Sequence, residues 1–144
     1  MTNIKTLEDE FWVYAGEVYA REHVAPVLLD WQERWGANVN TVLMCLWAAK
    51  ARRELALRDF DMVREAVSGW HAAAVIPLRH LRQRLKTEWS SLASDIAPTR
   101  KAILAAELEA ERAEQAIMIR VLAPWPERRP AADEIIARQN LMAY

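Results

Sequence analysis

The sequence predicts an all-α protein, and three observations support this fold class. Glycine is scarce, with three in 144 residues, so tight turns are few. Seven tryptophans supply large side chains for a core. Apolar residues recur at three- and four-residue spacing along most of the chain, which is the period of a helix rather than a strand. The length is that of one domain, so we expect a single-domain bundle of five to seven helices.

The first two helices are predicted from their end signals. Thr6 and Asp9 form a capping box, and the helix that follows should run to about Glu22. Pro26 suits the first turn of a second helix, which Gly36 ends as a C-cap. Their apolar stripes contain Leu7, Phe11, Tyr14 and Val18, then Leu28, Trp31 and Trp35.

A third helix, at about residues 40–57, is expected at the centre of the bundle. Asn38 or Asn40 can cap it, and residues 42–49 are apolar on every side. A helix without a polar face must be surrounded by other helices. The side chains expected to be nearly inaccessible are those of Leu43, Leu46 and Trp47.

Two further helices precede the longest one. Asp59 or Asp61 should cap a fourth helix, which Ser68-Gly69 weakens or interrupts. A fifth helix follows at about 70–93, and its apolar stripe keeps its register across Pro77, so a kink is predicted there.

A sixth helix, at about 99–122, should pair with the fifth in antiparallel orientation. Ala97-Pro98 is interpreted as the connection and Thr99 as the cap. One face of this helix is predicted to be apolar, with Glu111 and Gln115 projecting from its middle. The apolar members of that face are Leu104, Leu108, Met118 and Leu122.

A charge on a core-facing stripe is costly unless it is paired. With a turn near residues 94–98, facing residue numbers in the two helices sum to about 193. That register predicts the pairs Arg82–Glu111, Arg79–Glu114 and Lys86–Glu107. Two interpretations stay open: an ion-pair ladder that fixes helix register, or a pocket whose arginines bind an anionic ligand. The candidate residues are His71, Arg79, Arg82, Lys86, Glu107, Glu111, Glu114 and Gln115.

No catalytic, cofactor or metal motif is recognised. His71 lies on an apolar stripe, where a packing role is commoner than that of a general base. No histidine follows a glutamate by three residues, which argues against a di-iron bundle. Cys45 lies in an apolar helix without a neighbouring cation to lower its pKa. No glycine-rich phosphate loop is present.

The charge pattern bears on partners. Residues 1–49 hold three basic and seven acidic side chains, residues 50–101 eleven and six, and residues 102–144 five and seven. Helices of opposite charge can pair within one fold, or the middle segment can present an anion-binding surface. A net charge of −1 argues against nucleic-acid binding. No apolar run approaches the ~20 residues of a membrane span, and no signal peptide is recognised, so a cytoplasmic location is expected.

The C-terminal segment is predicted to be a separate unit. A helical bundle at residues 1–123 precedes a proline-rich linker at 124–130. A short helix within 131–144 then carries Ile135, Ile136 and Leu141. This helix should dock either on its own bundle or on a partner.

Several motifs resemble those of a proteobacterial family of short conserved hypothetical proteins, an all-helical domain of unknown function. The resemblance covers about residues 11–115, although Asn38 stands where an acidic residue is expected. It implies a helical fold and a bacterial cytoplasmic protein, and it implies no activity. Its motifs are Phe11-Trp12, Tyr19, Trp31-Gln32-Glu33, Gly36, Asn38-Val39-Asn40, Val42-Leu43, Leu46-Trp47, Trp70, Pro77-Leu78-Arg79-His80-Leu81-Arg82, Leu85-Lys86, Glu107-Leu108, Glu111-Arg112 and Glu114-Gln115.

The sequence alone favours a non-catalytic interaction or adaptor protein, expected to form homo-oligomers or to bind a protein partner. The alternative is a domain that binds a small anionic or amphipathic molecule in an Arg/Glu/His pocket between the fifth and sixth helices. An enzyme is the least favoured class, because no catalytic motif supports it.

Overall fold

The computed structural model describes residues 3–126 and 134–144. Within these residues the secondary structure is helical, which confirms the all-α bundle. The helices are α1 (Ile4–Tyr19), α2 (Val24–Trp35), α3 (Val39–Lys50), α4 (Leu57–Trp70), α5 (Ile76–Glu88), α6 (Ala93–Val121) and α7 (Glu134–Ala143). A π-helical turn, His71–Val75, joins α4 to α5, and a short 3₁₀ turn, Ser90–Leu92, joins α5 to α6. None of the described helices is long and apolar enough to cross a membrane.

Helix α3 lies at the centre, as its apolar character predicts. It packs against α1, α2, α6 and α7. Leu43 and Trp47 are 4% and 1% exposed, but Leu46 is only partly buried, so the prediction for that side chain was wrong. Trp47 stacks on Phe11 of α1 and meets the ring edge of Trp125 at a centroid distance of 4.8 Å.

The end of α3 differs from the prediction. The helix stops at Lys50 rather than near residue 57, and Arg52 takes a left-handed conformation with φ of 58°. Helix α7 explains the early stop. The buried Asn140 side chain accepts a hydrogen bond from the Leu55 N–H and donates to the carbonyls of Cys45 and Arg53. These bonds hold residues 51–56 in a non-helical path.

Other helix ends show which local signals are reliable. Asn38 caps α3 by accepting the Thr41 N–H, and Gly36 ends α2 with φ of 64°, as predicted. Asn3, rather than the predicted Thr6–Asp9 box, caps α1, because its side chain accepts the Lys5 N–H. Asp59 lies inside the first turn of α4 and accepts the N–H of Ala56 from there.

The region around Pro77 is continuous helix. Ser68-Gly69 do not interrupt α4, and the chain passes through the π-helical turn directly into α5. The Ile76 N–H bonds to the His71 carbonyl five residues back. Such a turn admits one extra residue and changes the local hydrogen bonding just before a proline, which cannot donate. A π-helical turn therefore precedes Pro77, and the predicted continuity of the helix across this proline is confirmed.

The junction between α5 and α6 lies earlier than predicted. Helix α6 begins at Ala93, so Ala97-Pro98 and Thr99 are part of a helix rather than a connection and a cap. Asp95 in the first turn favours this start, because a negative charge stabilises a helix N-terminus. The displaced turn changes the register of the antiparallel pair.

The C-terminal helix docks on its own bundle. Asn140 is fully buried against α3, Leu141 packs on the core, and the Tyr144 hydroxyl accepts the N–H of Asn38. Within the predicted linker, Trp125 packs on Trp47 and donates its indole N–H to the Ile119 carbonyl. The rest of that linker, residues 127–130, and the predicted helix start at Ala131 lie outside the described residues. So does the side chain of Ile135.

Candidate functional site

A cleft of about 670 Å³ opens on one side of the bundle. Helices α1, α2, α5 and α6, the N-terminal part of α3 and the π-helical turn form its walls. Its apolar wall includes Trp12, Tyr19, Leu29, Leu104 and Leu108. Its polar wall includes Gln32, Asn38, Asn40, His71, Arg79, Arg82, Gln83, Glu107, Glu111 and Gln115. The predicted pocket between two helices is thus a larger cleft that five helices enclose.

Glu107 is the most enclosed charge of the arginine network. Its side chain is 5% exposed and binds two guanidinium groups. Arg82 donates from Nε to Oε2 and from Nη2 to Oε1, and Arg79 donates from Nε to Oε1 at 3.3 Å. The hydrogen bonds from Arg82 to Glu107 raise the pKa of that arginine. The guanidinium of Arg82 therefore stays charged, and Glu107 holds two turns of α5 against α6.

Arg79 connects Glu107 to the neighbouring turn of α6. Its Nη2 donates to Glu111 Oε1 at 3.0 Å, and its Nη1 donates to Gln32 Oε1 at 3.0 Å. Burial raises the pKa of Glu111, and Arg79 opposes that rise. Burial likewise raises the pKa of Tyr19, whose ring lines the cleft beside these charges.

Glu114 is completely buried and has three hydrogen-bond partners. Its Oε1 accepts from Asn38 Nδ2 at 2.8 Å and from Asn40 Nδ2 at 3.3 Å. Its Oε2 lies 2.7 Å from His71 Nδ1. A carboxylate oxygen accepts, so the imidazole carries its proton on Nδ1. The second ring nitrogen, Nε2, then remains for other contacts.

Gln115 extends the same chain of hydrogen bonds. Asn40 donates its Nδ2 to Glu114, so its Oδ1 must act as the acceptor for Gln115 Nε2, at 2.9 Å. This order fixes the orientation of both amides. Gln115 Oε1 is buried and has no hydrogen-bond partner among the described residues.

Four polar atoms of the cleft keep unused hydrogen-bonding capacity. Within residues 3–126 and 134–144, no hydrogen bond uses Arg82 Nη1, Glu111 Oε2, His71 Nε2 or Gln115 Oε1. With its proton on Nδ1, the imidazole of His71 can accept a hydrogen bond at Nε2. The arrangement can therefore bind donors and acceptors at one wall of the cleft.

The structure brings most of the predicted site residues together, but in a different register. Arg79 meets Glu111 and Glu107 rather than Glu114, and Arg82 meets Glu107 rather than Glu111. Each arginine thus contacts a glutamate one helical turn nearer the N-terminus of α6, because the turn between the helices comes before residue 93. Lys86 is exposed and takes no part in the described ion pairs, so its predicted pairing with Glu107 was wrong.

The predicted apolar face of α6 divides into two parts. Met118 and Leu122 are completely buried, whereas Leu104 and Leu108 are each 42% exposed. The second pair lines the cleft instead of packing in the core. The periodicity identified an apolar face correctly, but it could not distinguish a core wall from a cleft wall.

Sequence reasoning missed the contributions of α1, α2 and α3 to the site. Asn38 and Asn40 were predicted as caps, and they also bind Glu114 across about seventy residues of sequence. Gln32 binds Arg79 across 47 residues of sequence. The signal that could have indicated these partners is Glu114 itself, because a buried carboxylate requires hydrogen-bond donors from another helix. No local pattern says which helix supplies them.

The described residues contain no group of three or more His, Cys, Asp or Glu side chains placed to hold a metal ion. The arginines and amides described above already bind the carboxylates of the cleft. Cys45 lies away from the cleft, where burial raises its pKa to about 12. The polar chemistry of the site is therefore hydrogen bonding and ion pairing.

Fold and cleft together define an all-α domain with a mixed polar and apolar cleft between its helices. The chain belongs to the family described as Protein of unknown function (DUF2390), whose family model matches residues 10–118. The matched region includes every residue that lines the cleft and excludes α7. No curated protein and no solved structure matches the chain.

Proposed function

We propose that this domain binds a small amphipathic molecule in the cleft. The observation that carries the proposal is the combination of an apolar wall with polar atoms whose hydrogen bonding is incomplete. Its volume of about 670 Å³ lies within the range of ~300–1,000 Å³ that is usual for small-molecule sites. A ladder that merely fixed helix register would be expected to pair its buried polar atoms, because an unmade buried hydrogen bond is costly, yet Gln115 Oε1 is buried and has no partner among the described residues.

The apolar wall supports a ligand with an apolar part. Leu104 and Leu108 lie one turn apart on α6, and Trp12 and Tyr19 of α1 line the same cleft. Two leucines that are 42% exposed in a concave surface cost free energy until something covers them. A ligand that buried both side chains would recover that free energy.

The test fills the cleft and measures binding of a fluorescent amphipathic probe, 8-anilinonaphthalene-1-sulfonate. Leu108→Trp places a large ring in the cleft, and Leu81→Trp makes the same change at a leucine that is equally exposed, at 41%, but outside the cleft. We expect saturable binding to the wild type, loss of binding in Leu108→Trp, and unchanged binding in Leu81→Trp. Equal binding by all three proteins would contradict the proposal.

A second candidate is the adaptor function, because α5 and the adjoining turn expose apolar side chains. None of the residues of α5, all of which are described, is buried. Leu81, Trp89 and Leu92 are between 41% and 49% exposed, and residues 76–101 carry six basic and two acidic side chains. Such a surface suits an acidic protein partner or a second copy. Light scattering of Trp89→Glu beside the wild type tests self-association.

The C-terminal helix gives less support to the adaptor candidate than its sequence suggested. Leu141 and Ala143 pack on the core and Asn140 is buried, so this part of α7 is not available to a partner, although Met142 is 81% exposed. We expect truncation after Pro124 to lower the melting temperature without changing the mass of the particle. The cytoplasmic location also stays a prediction, which fractionation of cells that express the tagged chain can test.

A further inference from the structure

The arginine network has two kinds of member, and this difference indicates what the cleft binds. Arg79 and Glu107 are 16% and 5% exposed and use their charges on each other and on their neighbours. Arg82 and Glu111 are 28% and 23% exposed, and each binds its protein partner through only part of its charged group. The network therefore presents one positive and one negative group to the cleft.

The unused atoms of these two residues suit opposite ligand groups. Arg82 binds Glu107 through Nε and Nη2, which leaves both N–H groups of Nη1 available within the described chain. A guanidinium edge binds a carboxylate or phosphate with paired hydrogen bonds. Glu111 binds Arg79 through Oε1, and its Oε2 remains available to accept a hydrogen bond from an ammonium.

The positions of the two groups are fixed relative to each other by a continuous chain of bonds. Arg82 and Arg79 both donate to Glu107 Oε1, and Arg79 donates onward to Glu111. Gln115 lies one turn further along α6 and lines the same cleft, and its unpartnered Oε1 is a second acceptor for an ammonium. An ammonium has three N–H donors, so two acceptors on one wall are useful to it.

The charge balance argues against a ligand of one sign. Two arginines and two glutamates sum to zero, and Glu114 is already bound by three donors. A simple anion would bind Arg82 with the carboxylate of Glu111 nearby, and a simple cation would meet the converse repulsion. A zwitterion pairs with both groups, and its two charges replace the water molecules that would otherwise solvate them.

Resting on the proposed function, we infer that the cleft binds a zwitterion that carries an ammonium, an acidic group and an apolar substituent. Its acidic group binds Arg82, its ammonium binds Glu111 and Gln115, and its apolar part lies against Leu104 and Leu108. Two sources share this chemistry: an apolar α-amino acid and the head group of a phosphatidylethanolamine. The first carries a carboxylate and the second a phosphate.

The experiment is calorimetric titration of the full chain with matched ligands. L-Phenylalanine is compared with N-acetyl-L-phenylalanine, which lacks the ammonium, and with L-phenylalaninamide, which lacks the carboxylate. Soluble dihexanoyl-phosphatidylethanolamine forms the lipid arm. A charged hydrogen bond is worth ~1.5–3 kcal/mol, so each blocked analogue should bind at least about tenfold more weakly than the zwitterion. The zwitterion that binds shows whether the ligand is an amino acid or a phosphatidylethanolamine head group.

Substitutions then assign the contacts. Glu111→Gln should weaken binding of the zwitterion by about tenfold, whereas the acetylated analogue, which has no ammonium, should bind no more weakly than to the wild type. Glu109→Gln is the matched control on the same helix, since Glu109 is exposed and lies outside the cleft. Arg82→Lys should weaken binding of both carboxylate ligands, whereas Arg84→Lys should not.

The outcomes separate this inference from the proposed function. If both zwitterions fail to bind while the fluorescent probe binds and is excluded by Leu108→Trp, the inference is wrong and the binding cleft stands. If the blocked analogues bind as tightly as the zwitterion, the inference is wrong as well. If neither the probe nor any zwitterion binds, both proposals fail.

Discussion

Two polar clusters lie against different ends of α3, and they differ in how completely their hydrogen bonds are made within the protein. At one end, Asn140 is fully buried, and its amide accepts from Leu55 N–H and donates to two carbonyls, those of Cys45 and Arg53. At the other end, the cleft network leaves polar atoms of Arg82 and Glu111 without partners among the described residues. The first cluster is closed and the second is open.

The comparison distinguishes a structural role from a binding role. A side chain that only holds two elements together gains most when every polar atom is paired. A binding site must keep capacity for the ligand, and it accepts a cost in stability for that. Substitutions in the closed cluster, and at the completely buried residues beneath the cleft, should therefore lower the stability of the fold strongly. Substitutions at the partly exposed residues that line the cleft should lower it only weakly.

The largest effect is expected at Glu114, where the cleft network meets the core. Glu114→Ala removes a completely buried acceptor and strands the donors of Asn38, Asn40 and His71, so it should cost about 3–5 kcal/mol. Glu114→Gln keeps an acceptor oxygen and should cost clearly less. Denaturant unfolding measures both free energies. An equal loss in the two variants would show that charge, rather than hydrogen bonding, holds this site together.

Asn140→Ala should come next. It removes the side-chain partner of one N–H and two carbonyls near the C-terminal end of α3 and loosens α7, and we expect a loss of about 2–4 kcal/mol. Its matched control is Gln139→Ala, the exposed neighbour on the same helix. Thermal or denaturant unfolding reports the difference. Near-equal stability of the two variants would mean that the closed cluster does not anchor α7.

The two arginines should differ although both bind Glu107. Arg79→Ala breaks bonds to Gln32, Glu107 and Glu111 and should cost about 3 kcal/mol. Arg82→Ala leaves Glu107 with Arg79 as a partner and removes a more exposed side chain, so about 1–2 kcal/mol is expected. If Arg82→Ala proves the more destabilising variant, Arg82 has mainly a structural role, and the proposal that it is available to a ligand is wrong.

The smallest effect is expected at Glu111, and its signature is a change with pH. Burial raises the pKa of Glu111 in the folded protein above its ordinary value of 4.5. The folded state therefore binds more protons than the unfolded state from about pH 4.5 upward to the raised pKa, and stability falls as the pH rises through that window. Glu111→Gln removes this loss, so its stability relative to wild type should increase with pH there, while Glu109→Gln should show no such trend.

The sequence predicted the residues of the network better than their pairing. Arg79, Arg82, Glu107, Glu111, and Gln115 all line the cleft, because a charge or amide on an apolar stripe must find a partner. Their partners depended on where α5 ends. Local signals favoured Ala97-Pro98 as the break, but α6 accommodates Pro98 near its start, and the register moved by about one turn.

Partners from distant helices could not be predicted at all. Gln32, Asn38 and Asn40 reach the network from α2 and the start of α3. Each of them is also consistent with a local role, as a surface residue or a cap. Because many packings of the helices satisfy the same local patterns, periodicity does not reveal which amide faces which carboxylate.

By itself, the sequence determined the helical class, the central place of α3 and most of the charged residues that form the network. These follow from the spacing of apolar residues and the cost of an unpaired charge, which are properties of each helix alone. Tertiary structure decided the end of α3, the exposure of Leu104 and Leu108, and the division of polar clusters into closed and open. These depend on Asn140 reaching across from α7 and on the angle and register between helices, which arise when separate parts of the chain pack against one another.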